Sequence, residues 1–103
     1  MSVDPKYIIY HDLIGFQAYA RLKSKSIKNG FSDIGQVMDE TRNMLITENE
    51  KQIKKYIKKD HFFRFKIEKT EQGSQHLLVE VDGDKIVGLP ENRLRSLRKK
   101  RRV

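Results

Sequence analysis

The side chains best suited to acid-base chemistry in this sequence are three histidines, His11, His61 and His76. Histidine titrates near neutral pH, so it is the first candidate for a general acid or base. The three lie far apart along the chain, and none has a serine or cysteine nucleophile context around it. A stand-alone nuclease would need one of them, but structural or surface roles are favoured, and the sequence predicts no catalytic residues.

Metal ligands and phosphate-binding loops are poorly represented. No His-x-x-x-His or Glu-x-x-His spacing occurs, and there is no cysteine. Glu80, Asp82 and Asp84 flank a predicted turn, where a solvated hairpin is favoured over a Mg²⁺ site. Gly30 and Gly35 are isolated and lead into a predicted strand rather than a helix. The sequence therefore predicts no metal site and no cofactor bound by this chain.

Positive charge is concentrated in two segments of the chain. The net charge is +8; residues 93–103 carry seven basic and no acidic side chains, and residues 51–69 carry eight and two. Localised positive charge is typical of proteins that bind a polyanion, because phosphates replace condensed counterions. A Lys/Arg-rich run can also be a nuclear localisation signal. We favour RNA contact.

The predicted RNA contacts fall in four groups: a loop after the first strand, a hairpin turn, the internal lysine-rich segment and the C-terminal tail. The first three groups are Lys23, Lys25 and Lys28; Arg42; and Lys54, Lys55, Lys58 and Lys59. The tail supplies Arg93, Arg95, Arg98, Lys99, Lys100, Arg101 and Arg102.

The elements that must position these residues are mostly strands. Apolar residues alternate with polar ones from Phe16 to Lys23, and at 63–67 and 77–81, as in half-buried strands. The Ser-, Asn- and Gly-containing segment 24–35 is typical of a loop before a second strand around 34–39. Residues 39–43 separate two apolar runs as a hairpin turn does. Asp82-Gly83 predicts a tight turn that returns the chain into a strand at 85–87. Five or six short strands in a chain of this length favour a small closed or nearly closed β-barrel.

Three segments fall outside this pattern of strands. Asp4-Pro5 favours a short helix beginning near Pro5, and Pro90 favours another with Leu94 and Leu97 on its apolar stripe. In residues 48–59, the capping-box spacing of Thr47 and Glu50 predicts a helix, whereas the same residues also allow strand alternation. The pattern alone leaves both alternatives open there.

Length and composition set the remaining expectations. A chain of 103 residues suits a single domain with one core, and the lack of cysteine favours an intracellular, cytoplasmic setting. Apolar runs are far shorter than the roughly 20 residues of a membrane span, so we expect no membrane association. We predict an N-terminal helical arm at 1–14, a β-barrel at 15–88 and a basic C-terminal helix and tail at 89–103.

Four blocks in order carry a family resemblance: His11-Asp12-Leu13-Ile14-Gly15, Asp39-Glu40-Thr41-Arg42-Asn43-Met44-Leu45, Val81-Asp82-Gly83, and Val87-Gly88-Leu89-Pro90-Glu91-Asn92-Arg93-Leu94. Together they resemble archaeal ribonuclease P protein component 1, a subunit of the ribonucleoprotein that processes tRNA. A ribosome- or translation-associated barrel is the alternative, but it has no reason to carry the Asp-Glu-Thr-Arg-Asn block.

The resemblance implies a fold, partners and a role. The fold is a mainly β, Sm-like or SH3-like antiparallel barrel of about six strands with short terminal helices, and residues 51–58 are a strand. The implied partners are ribonuclease P RNA, the zinc-ribbon protein subunit and other RNase P proteins. The resemblance also implies that the terminal helices dock the zinc-ribbon subunit and that the catalytic site belongs to the RNA and its Mg²⁺ ions. The predicted partner-binding residues are Tyr7, Ile8, Leu13, Leu94 and Leu97.

Overall fold

One six-stranded antiparallel sheet forms most of the structure. The structure is a computed structural model, and it describes residues 5–26, 28, 30–68 and 75–93. Its strands are β1 (Gln17–Leu22), β2 (Ser32–Glu40), β3 (Met44–Asn49), β4 (Gln52–Ile57), β5 (His61–Glu68) and β6 (His76–Asp82). Short 3-10 helices lie at Pro5–Tyr10, Lys58–Asp60 and Gly83–Ile86, and a helical turn begins at Pro90. The predicted mainly β class, with six strands and a short helix at Pro5, is confirmed.

The sheet has the strand order β4-β3-β2-β1-β5-β6, so β4 and β6 are its two end strands. The short helices that follow these strands, Lys58–Asp60 and Gly83–Ile86, pack against each other. Within the described ranges, no backbone ladder joins β4 to β6. The predicted closure of the barrel is therefore not confirmed.

The hydrophobic core lies on one face of this sheet, where large and small residues are paired across strands. Ala18 and Ala20 of β1 stand opposite Phe65 and Phe63 of β5, and all four are buried. Small residues on one strand leave room for the aromatic rings of the next, as close packing requires. The alternation that predicted β1 and β5 is therefore the alternation of core and surface.

Residues 49–52 form the tight turn that joins β3 to β4, and the pairing of Asn49 with Gln52 leaves two residues in the loop. Glu50 and Lys51 both have positive φ, 51° and 67°. The helix that the capping-box spacing of Thr47 and Glu50 predicted is wrong, because Thr47 is 1% exposed on the core face of β3. The strand that the resemblance implied here is confirmed.

The turn at Glu50-Lys51 leads to a stability prediction. Two-residue hairpin loops with both residues at positive φ prefer Asn-Gly, since other side chains are strained there. We expect the double substitution Glu50→Asn and Lys51→Gly to raise the free energy of unfolding by about 1 kcal/mol in urea titrations. The control, Glu50→Ala with Lys51→Ala, keeps the strain, and an equal gain from it would contradict this explanation.

The chain after Asp82 forms the 3-10 helix Gly83–Ile86, so the predicted hairpin into a strand at 85–87 is wrong. The Asp82 carboxylate accepts a hydrogen bond from the backbone N–H of Asp84 at 2.9 Å and caps this helix. Gly83 packs directly against the carbonyl oxygens of Lys58 and His61. Here Gly83 allows close backbone approach rather than the positive φ of a hairpin turn.

Candidate nucleic-acid interface

Three cations from distant parts of the sequence meet at a cleft of about 410 Å³. Arg21 lies in β1, Lys25 in the loop after it, and Lys54 in β4. The sheet brings these segments together although almost 30 residues separate Lys25 from Lys54. The other lining residues are Ala20, Leu22, Gly30, Ser32, Asp33, Ile34, Tyr56 and His61.

The alternation of β4 separates two of the predicted RNA contacts. Lys54 pairs with Thr47, which faces the core, so Lys54 lies on the inner face of the strand and lines the cleft. Lys55 pairs with Ile46 and lies on the outer face. Both lysines are exposed. The two side chains therefore belong to different surfaces, and only Lys54 adds charge to the cleft.

The remaining predicted contacts in the first half of the chain have different surroundings. Lys25, Lys28 and Arg42 are exposed. The Lys23 ammonium pairs with the carboxylates of Asp82 at 2.6 Å and Asp84 at 3.2 Å. These hydrogen bonds, chiefly the one to Asp82, raise the pKa of Lys23, and Lys23 in turn lowers the pKa of Asp82. Much of the charge of Lys23 is thus balanced within the protein.

A layer of guanidinium groups and phenyl rings covers the outer face of β1 and β5. The Arg21 guanidinium lies 4.8 Å from the ring centre of Phe62 and 5.5 Å from that of Phe31. The Arg64 guanidinium lies 4.0 Å from Phe31. Such contacts are attractive at about 0.5–1 kcal/mol each at exposed sites. These contacts hold Phe31 against the sheet. They thereby also hold the loop at one side of the cleft.

Lys58 and Arg93, two predicted RNA contacts, are instead buried around Glu40. Lys58 is 0% and Arg93 6% exposed. The Glu40 carboxylate accepts from the Lys58 ammonium at 2.8 Å and from the Arg93 guanidinium at 2.6 Å. Their assignment as RNA contacts is therefore corrected, since buried and fully bonded cations present no charge at the surface. We call Glu40, Lys58 and Arg93 the buried charge network.

Backbone carbonyls complete this buried charge network. Lys58 Nζ also donates to the carbonyl oxygens of Thr41 at 2.7 Å, Arg42 at 3.3 Å and Gly88 at 3.1 Å. Arg93 donates to the carbonyl oxygens of Ile9, His11, Ile86 and Gly88. One guanidinium thus holds the N-terminal arm and the segment after β6 against the sheet. Desolvation lowers the pKa of Lys58 although Glu40 opposes that shift.

The buried charge network shows what two of the sequence blocks that carried the family resemblance do in the fold. Glu40, Thr41 and Arg42 supply acceptors from the Asp-Glu-Thr-Arg-Asn block, while Arg93 supplies donors from the Pro-Glu-Asn-Arg block. Within the described residues these two blocks therefore meet in the interior. Their common role is to hold the fold together.

The predicted partner-binding residues of the arm are divided between surface and core. Tyr7 is 37% exposed, whereas Ile8 and Leu13 are 2% and 0% exposed and belong to the hydrophobic core. Ile8 and Leu13 are therefore corrected from partner contacts to core residues, because the arm packs on the sheet. Several predicted residues lie outside the described residues: Leu94, Leu97, Arg95, Arg98, Lys99, Lys100, Arg101 and Arg102.

The three histidines lie at two places: His11 and His76 line one pocket, and His61 lines the cleft. His11 Nδ1 donates to the carbonyl oxygen of Asp12 at 2.6 Å, and His61 Nδ1 donates to that of Ile57 at 2.7 Å. His76 lies at the start of β6. In the described ranges, no group of three or more His, Asp or Glu side chains is placed to hold a metal ion. In the same ranges, no helix is long and apolar enough to cross a membrane.

Several polar residues of the inner face were not predicted as site residues from the sequence. Thr47 and Tyr56 line the inner end of the cleft, and Glu40 centres the buried network. Tyr56 is half-buried, and this burial raises the pKa of its hydroxyl. The sequence signal that could have found them is the strand alternation, because it places Lys54, Tyr56 and Lys58 on the same face of the strand as the core residues.

Comparison with known proteins gives consistent matches. The family model of Ribonuclease P/MRP, subunit p29 matches residues 6–96. Ribonuclease P protein component 1 of Methanosarcina barkeri is 32% identical over 99% of this chain and 94% of its own length. The same component of Pyrococcus furiosus is 36% identical over 91% and 68%.

A solved structure described as Mth11, a homologue of human RNase P protein Rpp29, is 33% identical. It covers 81% of this chain and 97% of its own, with a TM-score of 0.49. The family assignment depends on the family model and on the two relatives. The chain belongs to the family of ribonuclease P/MRP subunit p29.

Proposed function

We propose that this chain is a non-catalytic RNA-binding subunit of ribonuclease P that supports the catalytic RNA in 5′ maturation of precursor tRNA. The family match carries the proposal, and the meeting of Arg21, Lys25 and Lys54 at one cleft supports it. Phosphate contacts of this kind position an RNA without chemistry by the protein. In this proposal the Mg²⁺ ions of the reaction are bound by the RNA, and this chain binds no cofactor.

The proposed partners are ribonuclease P RNA, the zinc-ribbon protein subunit and other RNase P proteins. Two features of the arm support a protein partner at the N-terminal end. Arg93 holds the arm on the sheet through the carbonyls of Ile9 and His11, and Tyr7 stays partly exposed. A surface fixed in this way loses little conformational freedom when a partner binds.

Reconstitution of the holoenzyme tests the proposed function. Ribonuclease P RNA and the other protein subunits are assembled with and without this chain, and precursor tRNA cleavage is followed at limiting Mg²⁺. We expect cleavage to fall when this chain is left out and to recover when it is added. Unchanged cleavage without it would overturn the proposal. Cleavage by the chain alone would also overturn it, since that would make the protein catalytic.

The contribution of the basic tail is tested with two truncations that differ by one residue. Removal of residues 94–103 should reduce the slope of log affinity against log salt by about 0.7–0.9 for each phosphate that the tail neutralises. Removal of 93–103 should in addition lower the melting temperature, because Arg93 belongs to the buried charge network. An unchanged slope for the shorter truncation would exclude the tail as an RNA-binding segment.

A further inference from the structure

The cleft continues inwards into a small chamber of about 80 Å³. Asp33, Ile34, Lys54 and Tyr56 line both spaces, so the chamber is the inner end of the cleft. Its remaining lining residues are Thr47, Asn49, Glu50 and Gln52. Lys25 and Lys54 thus line the outer part, and the inner part adds the neutral polar residues Thr47, Asn49 and Gln52 together with Glu50.

Thr47 provides an independent observation at this inner end. Its side chain is 1% exposed, and its Oγ1 has no hydrogen-bond partner among the described residues. Buried polar groups are nearly always hydrogen-bonded, and an unsatisfied one is costly in the folded protein. A hydroxyl in this setting is a donor and acceptor available to whatever enters the chamber.

Two aromatic rings line the cleft, and that of Tyr56 also lines the chamber. The rings of Tyr56 and His61 meet edge to face, with centres 5.5 Å apart. Since a carbonyl oxygen only accepts, the bond of His61 Nδ1 to Ile57 makes Nδ1 the donor. The Nε2 atom of a neutral His61 is then an acceptor. The cleft therefore combines aromatic surface, polar groups and positive charge, as sites for unpaired nucleotides do.

We infer that the cleft binds one unpaired nucleotide of an RNA, an inference that rests on the proposed RNA-binding function. The phosphate lies near Lys25 and Lys54, and the base packs against Tyr56 and His61. An exocyclic group or ring nitrogen of the base reaches the chamber and bonds to the Thr47 hydroxyl. The volume of about 410 Å³ lies within the range of about 300–1,000 Å³ found for small-ligand pockets.

The charge around the cleft fits a nucleotide. Asp33 is the acidic residue that lines its outer part, and its carboxylate already accepts from Gln17 Nε2 at 2.6 Å and from the Gly35 N–H at 2.8 Å. The ammonium groups of Lys25 and Lys54 against this one carboxylate leave the outer cleft positive. A phosphate is therefore attracted to the outer cleft, whereas the residues lining the inner chamber include two carboxylates, Asp33 and Glu50, against one cation, Lys54.

The central test is Thr47→Val, which removes the hydroxyl and keeps the shape of the side chain. The probes are short single-stranded RNA oligonucleotides of uridine, cytidine or adenosine, measured by fluorescence anisotropy with the whole chain. We expect Thr47→Val to weaken binding of the best-bound oligonucleotide about tenfold or more, and Thr47→Ser to restore it. The melting temperature of free Thr47→Val should rise, because an unsatisfied buried hydroxyl is removed.

Substitutions of Tyr56 and Lys54 separate the contribution of the ring from that of the charge. Tyr56→Ala should weaken binding of all three oligonucleotides by roughly tenfold, whereas Tyr56→Phe should bind as the unmodified chain does. Lys54→Ala should lower the salt slope by about 0.7–0.9, the value for one phosphate. The matched control is Lys66→Ala, an exposed lysine on the outer face of β5, which should leave oligonucleotide binding unchanged.

The possible outcomes distinguish this inference from the proposed function. If Thr47→Val binds all three oligonucleotides as tightly as the unmodified chain, the nucleotide site is wrong. A lowered melting temperature with unchanged binding would identify the Thr47 hydroxyl as a structural group bonded to water. In both cases, retained binding of ribonuclease P RNA leaves the proposed function standing. Absence of any RNA binding by the unmodified chain would overturn both.

Discussion

Glu40→Gln is expected to lower the free energy of unfolding by about 3–5 kcal/mol, because it leaves two buried cations without their carboxylate. Lys58 and Arg93 are 0% and 6% exposed, so water cannot replace the missing carboxylate without opening the structure. A domain of this size has a total stability of only about 5–15 kcal/mol. Urea denaturation followed by circular dichroism measures the change.

Lys58→Met is the matched control for this substitution. It removes one of the two cations and leaves Glu40 and Arg93 as a one-to-one pair, so it should cost less, about 1–2 kcal/mol. If Lys58→Met were as destabilising as Glu40→Gln, charge balance would not be the reason for the loss. The Arg42 and Thr41 carbonyls that lose a donor belong to exposed residues, where water can bond to them.

The loss of unfolding free energy caused by Glu40→Gln should also depend on pH. Desolvation already lowers the pKa of Lys58 in the folded protein, and loss of the Glu40 charge lowers it further. In the pH range between that folded pKa and the unfolded value of 10.5, the unfolded chain binds more protons. Stability then rises with pH, so the difference from the unmodified chain should shrink as pH is raised towards 10.5. A difference that grows with pH would contradict the assignment.

Gly83→Ala is expected to lower the free energy of unfolding by about 3 kcal/mol or more. A Cβ at this position would overlap the backbone carbonyl oxygen of Lys58 and crowd that of His61. Backbone atoms cannot move aside as a flexible side chain does, and the helices after β4 and β6 would be forced apart. The same urea titration measures the loss.

Gly15→Ala provides the comparison for Gly83→Ala. Gly15 has a φ of +97°, and nothing lies within 4 Å of a Cβ built there. Its substitution therefore adds backbone strain alone, of about 1–2 kcal/mol. Gly83→Ala should cost clearly more, since it adds steric overlap. Equal losses at the two positions would mean that the two short helices pack loosely against each other.

The strands were predictable because each has one face in the core and one at the surface. In β1 and β5 the alternation of apolar and polar residues is the alternation that the structure shows. Residues 48–59 were ambiguous, since the turn at Glu50-Lys51 has no glycine, and only pairing with β3 fixes the strand. The role of Gly83 depends on carbonyls of a distant segment, which no local pattern reveals.

The candidate site was predictable only in part. Lys54 and Lys58 have the same residue type and the same phase in the strand pattern, yet one lines a cleft and the other is buried. The difference comes from what covers them. Gly88 and Arg93, 30 or more positions later, close over Lys58. Sequence alone located the positive segment but could not assign each charge to the surface or the interior.

The bond between Arg93 and the Ile9 carbonyl spans 84 positions of the chain, which has a consequence for how the protein forms during synthesis. The arm leaves the ribosome early, but the guanidinium that holds its carbonyls is made much later. Until then, Glu40 and Lys58 can form a neutral pair, and the arm lacks the hydrogen bonds that Arg93 donates to its carbonyls. An early segment of the chain therefore gains these bonds only when residue 93 has left the ribosome.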